Sequence, residues 1–166
     1  MKRISISQND IQEKWYLVDV SGQRIGILAS KIAEILMGKT DPVVRKNLNP
    51  RSFVVVINAG KIDFTAKKGF SKFYKSYSGF PDGLRYTDLD TTFAKNKTFP
   101  IVSAVKGMLP KTKRGDEAIV RLKVFETDVH EHEAQKPQQI DLKNLSTECQ
   151  INNNSAAEKE KGLMTV

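Results

Sequence analysis

The chain is predicted to fold as a single three-layer α/β/α domain around a small, mostly parallel sheet. Two observations predict this class. Trp15-Tyr-Leu-Val-Asp19, the Ser21-Gly22 turn and a segment with apolar residues at 25, 28, 29, 32, 35 and 36 read as strand, tight turn and amphipathic helix. Phe53-Val-Val-Val-Ile-Asn58 is apolar on both faces of any strand it could form, which suits a central strand covered by helices on both sides. Joined in that order, they make a right-handed βαβ crossover.

The remaining elements follow along the chain. Gly38 after Met37 is the expected helix stop. Residues 40–51, punctuated by Pro42 and Pro50, form the connection. Lys61-Ile-Asp-Phe-Thr65 suggests a further short strand. Phe70 to Tyr77 interleaves aromatic and basic residues, and Ser78-Gly-Phe-Pro-Asp-Gly83 ends it in a loop. Thr87 or Asp88 is placed to cap a short helix running through Lys95. Pro100 suits the first turn of a helix from Ile101 to Met108, which Gly107 and Pro110 are expected to break. Asp116 is the expected cap of a third short helix, leading into Val120-Arg-Leu-Lys-Val-Phe125, whose alternation suggests a half-exposed strand. Beyond about Leu145 the sequence turns to Asn, Ser, Glu and Lys, the composition of a disordered tail.

The 166 residues suffice for one domain with a core, and 39% apolar with 28% charged residues is globular rather than disordered. No run approaches the roughly 20 apolar residues of a membrane-spanning helix. Met1-Lys-Arg-Ile-Ser-Ile-Ser lacks the apolar segment of a secretory signal. A single cysteine, Cys149, builds neither a disulfide nor a thiolate metal site, so the chain reads as intracellular.

Charge is the strongest functional signal. Residues 1–115 carry 21 Lys/Arg against 9 Asp/Glu, whereas residues 116–166 carry 6 against 10. Between Val43 and Pro81 eight basic residues face one acid, Asp63. Such a field attracts polyanions. A membrane surface would call for a basic amphipathic helix or a lipidation motif, and neither is present, so nucleic acid is favoured.

Two stretches concentrate the candidates. Ala104-Val-Lys-Gly-Met-Leu-Pro-Lys-Thr-Lys-Arg-Gly115 presents Lys111, Lys113 and Arg114 with no acid between them, where neutralised phosphates would release counterions. Lys67, Lys68, Lys72 and Lys75 alternate with Phe70, Phe73, Tyr74 and Tyr77, an arrangement for phosphate contacts and base stacking. For those aromatics, a core-facing edge strand guarded by lysines is an equal alternative. Gly22-Gln-Arg-Ile-Gly26 lacks dinucleotide-fingerprint spacing and is read as a tight turn with close helix packing. His130-Glu-His132-Glu133 lacks a third metal ligand and reads as a surface or RNA-contacting pair. No catalytic set, metal site or cofactor motif assembles. An RNA-modifying enzyme and a messenger-RNA regulator remain as alternatives; the first would need a ligand pocket, the second a pool away from ribosomes.

Five ordered blocks carry a resemblance. Trp15-Tyr-Leu-Val-Asp19, Gly26-x-Leu28-Ala29, Val56-Ile-Asn-Ala59 with Lys61, Ala104-Val-Lys-Gly-Met-Leu-Pro-Lys111 and His132-x-Ala134-Gln-x-Pro137 together resemble the family of large-subunit ribosomal protein thirteen, in its bacterial or organellar form. The resemblance covers residues 14–142, with 1–13 as an N-terminal extension and 143–166 as a polar tail. It implies the three-layer fold and a structural role: binding large-subunit ribosomal RNA, supporting early assembly and staying in the subunit beside neighbouring large-subunit proteins. It implies no catalysis, cofactor, small-molecule substrate or membrane. The location it implies is the ribosome of the cytoplasm, or of an organellar matrix or stroma. Lys106, Lys111, Lys113 and Arg114 would be RNA contacts in the matched block. Lys68, Lys72, Lys75 and Tyr77-Ser78-Gly79 would belong to a second RNA-facing loop. The chain departs from the family at that loop, with Tyr77-Ser78-Gly79 for the common His-Thr-Gly and Asp82-Gly83 for Gly-Gly.

Overall fold

The structure, a computed structural model, describes residues 11–41, 48–64 and 72–140. Strand β1 (Lys14–Asp19) leads through a turn into helix α1 (Ile25–Leu36) and then to β2 (Ser52–Ile57). The turn depends on Gly22, whose φ of 63° lies in the left-handed region that glycine adopts at little cost. Gly38 N–H donates to the Ile35 carbonyl and closes α1, as its position predicts. β1 and β2 pair in parallel from Lys14 opposite Ser52 to Asp19 opposite Ile57.

Two strands, β3 (Phe73–Tyr77) and β4 (Leu84–Asp88), form a separate antiparallel ribbon. Helices α2 (Leu89–Lys95), α3 (Phe99–Met108) and α4 (Lys113–Val120) follow. Strand β5 (Leu122–Val124) then joins β2, and β6 (Gln138–Gln139) joins β1. The sheet order is β5-β2-β1-β6 and every pairing is parallel, so the chain is a single α/β domain with a four-stranded parallel sheet.

Alternation along the strands sorts their side chains. Tyr16, Val18, Val54 and Val56 point to one side and enter the core with Leu28, Ile32, Leu36, Ile101 and Val105. Each such side chain, fully removed from water, contributes about 1.5–3 kcal/mol. Val55 is also fully buried although it faces the other way, the signature of the central strand expected at 53–58. On that second face Trp15 stacks on its register partner Phe53, with ring centroids 4.4 Å apart and planes 8° from parallel. The segment after β5, which includes the single helical turn Glu133–Gln135, covers these rings. It brings His132 within 5.2 Å of Trp15 and 5.8 Å of Phe125. The Tyr16 hydroxyl is carried into the core, and burial, with Asp41 adding to it, pushes its pKa up to about 12.

Several expectations change. Residues 61–65 form no strand among the described residues: Ala59–Lys61 is a helical turn, and Asp63 makes one isolated bridge to Arg24. The Lys61 carbonyl accepts from Gly22 N–H and Asp63 N–H donates to Gln23, so the stretch is tied to the β1–α1 turn instead. Thr65 lies outside the described residues. Helix α4 begins three residues before Asp116, because Gly115 and Asp116 both donate to the Thr112 carbonyl. Helix α3 runs through Gly107 and ends at Met108 as expected, and Pro110, with no N–H and a bulky ring, forbids another turn. A Cβ built on Gly26 meets nothing within 4 Å, so only Gly22 of that pair has the structural task expected of both.

Asp19 ends β1 and links it to the following turns. Burial raises its pKa, but hydrogen bonds outweigh that: Ser21 Oγ donates at 2.7 Å, Ser21 N–H at 3.0 Å and Asn58 Nδ2 at 3.1 Å. With the Lys61 charge helping, the folded carboxyl lies below its ordinary range. Its stabilisation is therefore fully present above the unfolded pKa of about 3.9 and is lost as pH falls through the lower folded value. Urea titrations of wild type and Asp19→Asn should differ at pH 7, with wild type the more stable, and converge in strong acid. An equal gap at every pH would exclude this linkage.

Candidate nucleic-acid interface

Helix α3 organises the candidate surface. At its end Leu109 is buried and anchors the chain, while Pro110 turns it away. Thr112 N–H donates back to the Pro110 carbonyl at 2.9 Å and Gly115 N–H to the Thr112 carbonyl at 2.8 Å, folding residues 110–115 into one tight turn. Lys106, Lys111 and Lys113 are all exposed around this turn. Arg114 is different. Its guanidinium donates to the Leu48 carbonyl, and one helical turn on, Glu117 accepts from Asn49. These two residues fasten α4 to the segment entering β2, so the lysines point outward from a fixed support.

Local electrostatics leave the turn electropositive. Lys113 occupies the first turn of α4, where unpaired backbone N–H groups already give a partial positive charge. A cation there is unfavourable in the free chain and favourable beside a phosphate. Ion pairs among the described residues join Lys14 to Asp41, Lys31 to Glu34, Arg51 to Glu13 and Lys97 to Glu126. None engages Lys72, Lys75, Lys106, Lys111 or Lys113.

The β3–β4 ribbon rests on the other end of α3, where Tyr74 packs edge-on against Phe99 at 5.2 Å. Ten helical residues separate the ribbon's footing from the basic turn, about 15 Å at 1.5 Å per residue. Lys75 and Tyr77 are exposed on the ribbon; Lys72 is half-buried, its ammonium 5.1 Å from the Tyr74 ring centroid. Lys67 and Lys68 lie outside the described residues. The two basic groups expected from the sequence are thus carried by one helix.

Between them lies a cleft of about 610 Å³. Arg24 and Lys72 line it together with Ile27, Phe64, Ala104 and Met108. Its full lining contains no carboxylate and no histidine, and Ser103 supplies its one hydroxyl. The two histidines are elsewhere: His130 accepts a hydrogen bond from His132 N–H, and both rings lie against Phe125 on the second face of the sheet. Both are half-buried, and among the described residues no group of three His, Cys, Asp or Glu could hold a metal ion. No helix among the described residues is long and apolar enough to cross a membrane.

Arg24, Arg85 and Tyr86 were not singled out by the sequence. Arg24 lies between Gln23 and Ile25 and Tyr86 between Arg85 and Thr87, and only the fold brings them beside Lys72 and Lys75.

Comparison with known proteins adds independent information. The family model described as ribosomal protein L13 matches residues 13–131. The large ribosomal subunit protein uL13 of Caldanaerobacter subterraneus subsp. tengcongensis is 43% identical over 142 residues, covering 86% of this chain and 99% of its own length. Its counterpart in Thermoanaerobacter sp. strain X514 is 41% identical over the same span. That of Thermotoga maritima is 40% identical over 141 residues, covering 85% and 95% respectively.

Proposed function

Because the chain belongs to the ribosomal protein L13 family, we propose that it is a structural constituent of the large ribosomal subunit that binds large-subunit RNA through the α3–α4 turn and the β3–β4 ribbon. The family is one of non-catalytic ribosomal proteins. The supporting observation is the set Lys106, Lys111 and Lys113, exposed around one rigid turn with no carboxylate partner among the described residues. Such charges repel one another in the free protein and release counterions when phosphates replace the solvent around them. Lys72, Lys75 and Tyr77 supply the second contact, with Lys67 and Lys68 adjoining them in sequence. Arg114 supports the first by holding α4 in place and by adding charge behind it. A protein whose outward lysines are matched by RNA is suited to dock early, while its RNA is still folding, and then to remain beside neighbouring subunit proteins. Its place is accordingly the ribosome, in the cytoplasm or in an organelle.

Sedimentation of a lysate through a sucrose gradient at low and high magnesium tests this reading. Expected is co-migration with the large subunit, retained after a moderate salt wash. Recovery only at the top of the gradient would overturn it.

A further inference from the structure

Phe73, Tyr77, Leu84 and Tyr86 share one face of the β3–β4 ribbon, and none of them is buried. The register dictates this: Lys75 lies opposite Tyr86 and Tyr77 opposite Leu84, and side chains two residues apart share a face. The alternate set, Tyr74, Ser76, Arg85 and Thr87, lies on the reverse face, where Tyr74 packs on Phe99. Tyr77 is 66% exposed and Tyr86 57%, and Phe80 at the ribbon's tip is 73% exposed. A contiguous apolar face left to water marks an interaction surface rather than a contribution to folding.

We propose that this face is a stacking platform for unpaired RNA bases, an inference that rests on the RNA-binding reading above and gives the ribbon its own ligand class. Lys75 decides between RNA and an apolar protein neighbour. It stands between Phe73 and Tyr77 along β3, its ammonium 5.6 Å from the Tyr86 ring centroid. A protein surface covering the rings would strip water from that ammonium and would have to supply a carboxylate in register. A nucleotide strand brings a phosphate with every base. Of the ribbon's own acids, Asp82 lies at its tip and Asp88 at its open end, opposite Phe73 on the same face, whereas Lys72, over Tyr74, and Arg85 add positive charge on the reverse face.

Geometry favours unpaired over paired RNA. Phe73 and Tyr77, four residues apart on β3, are separated by about 13 Å, roughly four times the 3.4 Å step of stacked bases along one nucleic-acid strand. A duplex stack offers no gap for such rings, whereas an unstacked strand can seat bases on them, and every base has a face suited to this.

Tyr77→Leu and Tyr86→Leu keep apolar bulk at exposed positions and remove the π face. Filter binding of the full chain to a short single-stranded RNA of mixed sequence, and to its duplex, reads the effect. Each substitution should weaken single-strand affinity on the order of 5- to 100-fold while leaving duplex affinity unchanged. A Tyr77→Trp chain should show fluorescence quenching with the single strand and not with the duplex, measured against wild type with its lone Trp15. Unchanged affinity in the leucine variants, with no quenching, would overturn the platform. If those variants still bind RNA but lose a cross-link to a neighbouring protein in the particle, the face belongs to that protein and the platform is likewise overturned. Failure of wild type to bind either RNA would overturn the RNA-binding reading itself, a result distinct from both.

Discussion

Replacing Lys106, Lys111 and Lys113 together with glutamine should flatten the log–log salt dependence of RNA binding by up to about three units. Each phosphate contact contributes a slope of roughly 0.7 to 0.9, so three lost contacts cost on the order of 100- to 500-fold in affinity at about 0.1 M salt. Arg114 is left out because its guanidinium holds the Leu48 carbonyl. A variant there would confound loss of a phosphate contact with loosening of α4. The three lysines have no such partner among the described residues, so the melting temperature should hold. Removing Lys113 relieves a cation at a positive helix end; removing Lys106 loses a favourable charge in the last turn of α3. Filter binding across a salt series measures the slope, and circular dichroism checks the fold. An unchanged slope in a folded variant would remove this turn from the interface.

Gly115→Ala should be the most damaging small substitution. A Cβ at this position would lie 1.9 Å from the Pro110 carbonyl oxygen and 3.0 Å from its carbon. Backbone is on both sides of the clash, so no side chain can rotate away. Residues 110–114 must shift, against a buried Leu109 at one end and the Arg114 anchor at the other. Overpacking of this kind costs about 1–3 kcal/mol, occasionally more, or about 2–4 °C of melting temperature per kcal/mol in a chain of this size. It should also displace Lys111 and Lys113 and lower RNA affinity. Gly107→Ala is the contrasting case. It lies inside α3 with nothing within 4 Å of its Cβ, and alanine there should stabilise by up to about 1 kcal/mol. Thermal melts should move in opposite directions; a Gly115→Ala protein that melts with wild type would refute the steric account.

Local rules governed the elements that were legible in the sequence. The strand at 15–19, helix α1 with its Gly38 stop, and the buried run at 53–58 each carry a pattern whose period and burial agree. β4 was missed because Leu84 and Tyr86 do alternate, but toward solvent, so the pattern serves no core. Asp63 was mistaken for part of a strand because long-range bonds to the β1–α1 turn, unreadable from neighbours, fix its backbone. On the ribbon, the sequence allowed the aromatics to face either the core or a ligand. The register divides them, with Tyr74 turned to α3 while Phe73 and Tyr77 face outward. Of the charged candidates, Lys111, Lys113 and Arg114 stood out by having no acid between them, and Lys106 entered through the family resemblance. The anchoring role of Arg114 could not be read, because its partner lies 66 residues earlier.

The sheet order has a consequence for how the nascent chain is exposed during synthesis. β1 lies between β2 and β6, and Ile140 N–H donates to the Leu17 carbonyl at the sheet's far side. β1 and β2 can pair once Ile57 has emerged, but the other edge of β1 stays open until Gln138 follows some eighty residues later. At about 5–20 residues per second, that edge is bare for roughly 4–16 s of every round of translation. An unpaired strand edge is a template for pairing with another chain. The closing strand is only two residues long, so truncation just before it would leave the buried core cluster in place, removing only the half-buried Ile140 packed against it, while making the exposure permanent.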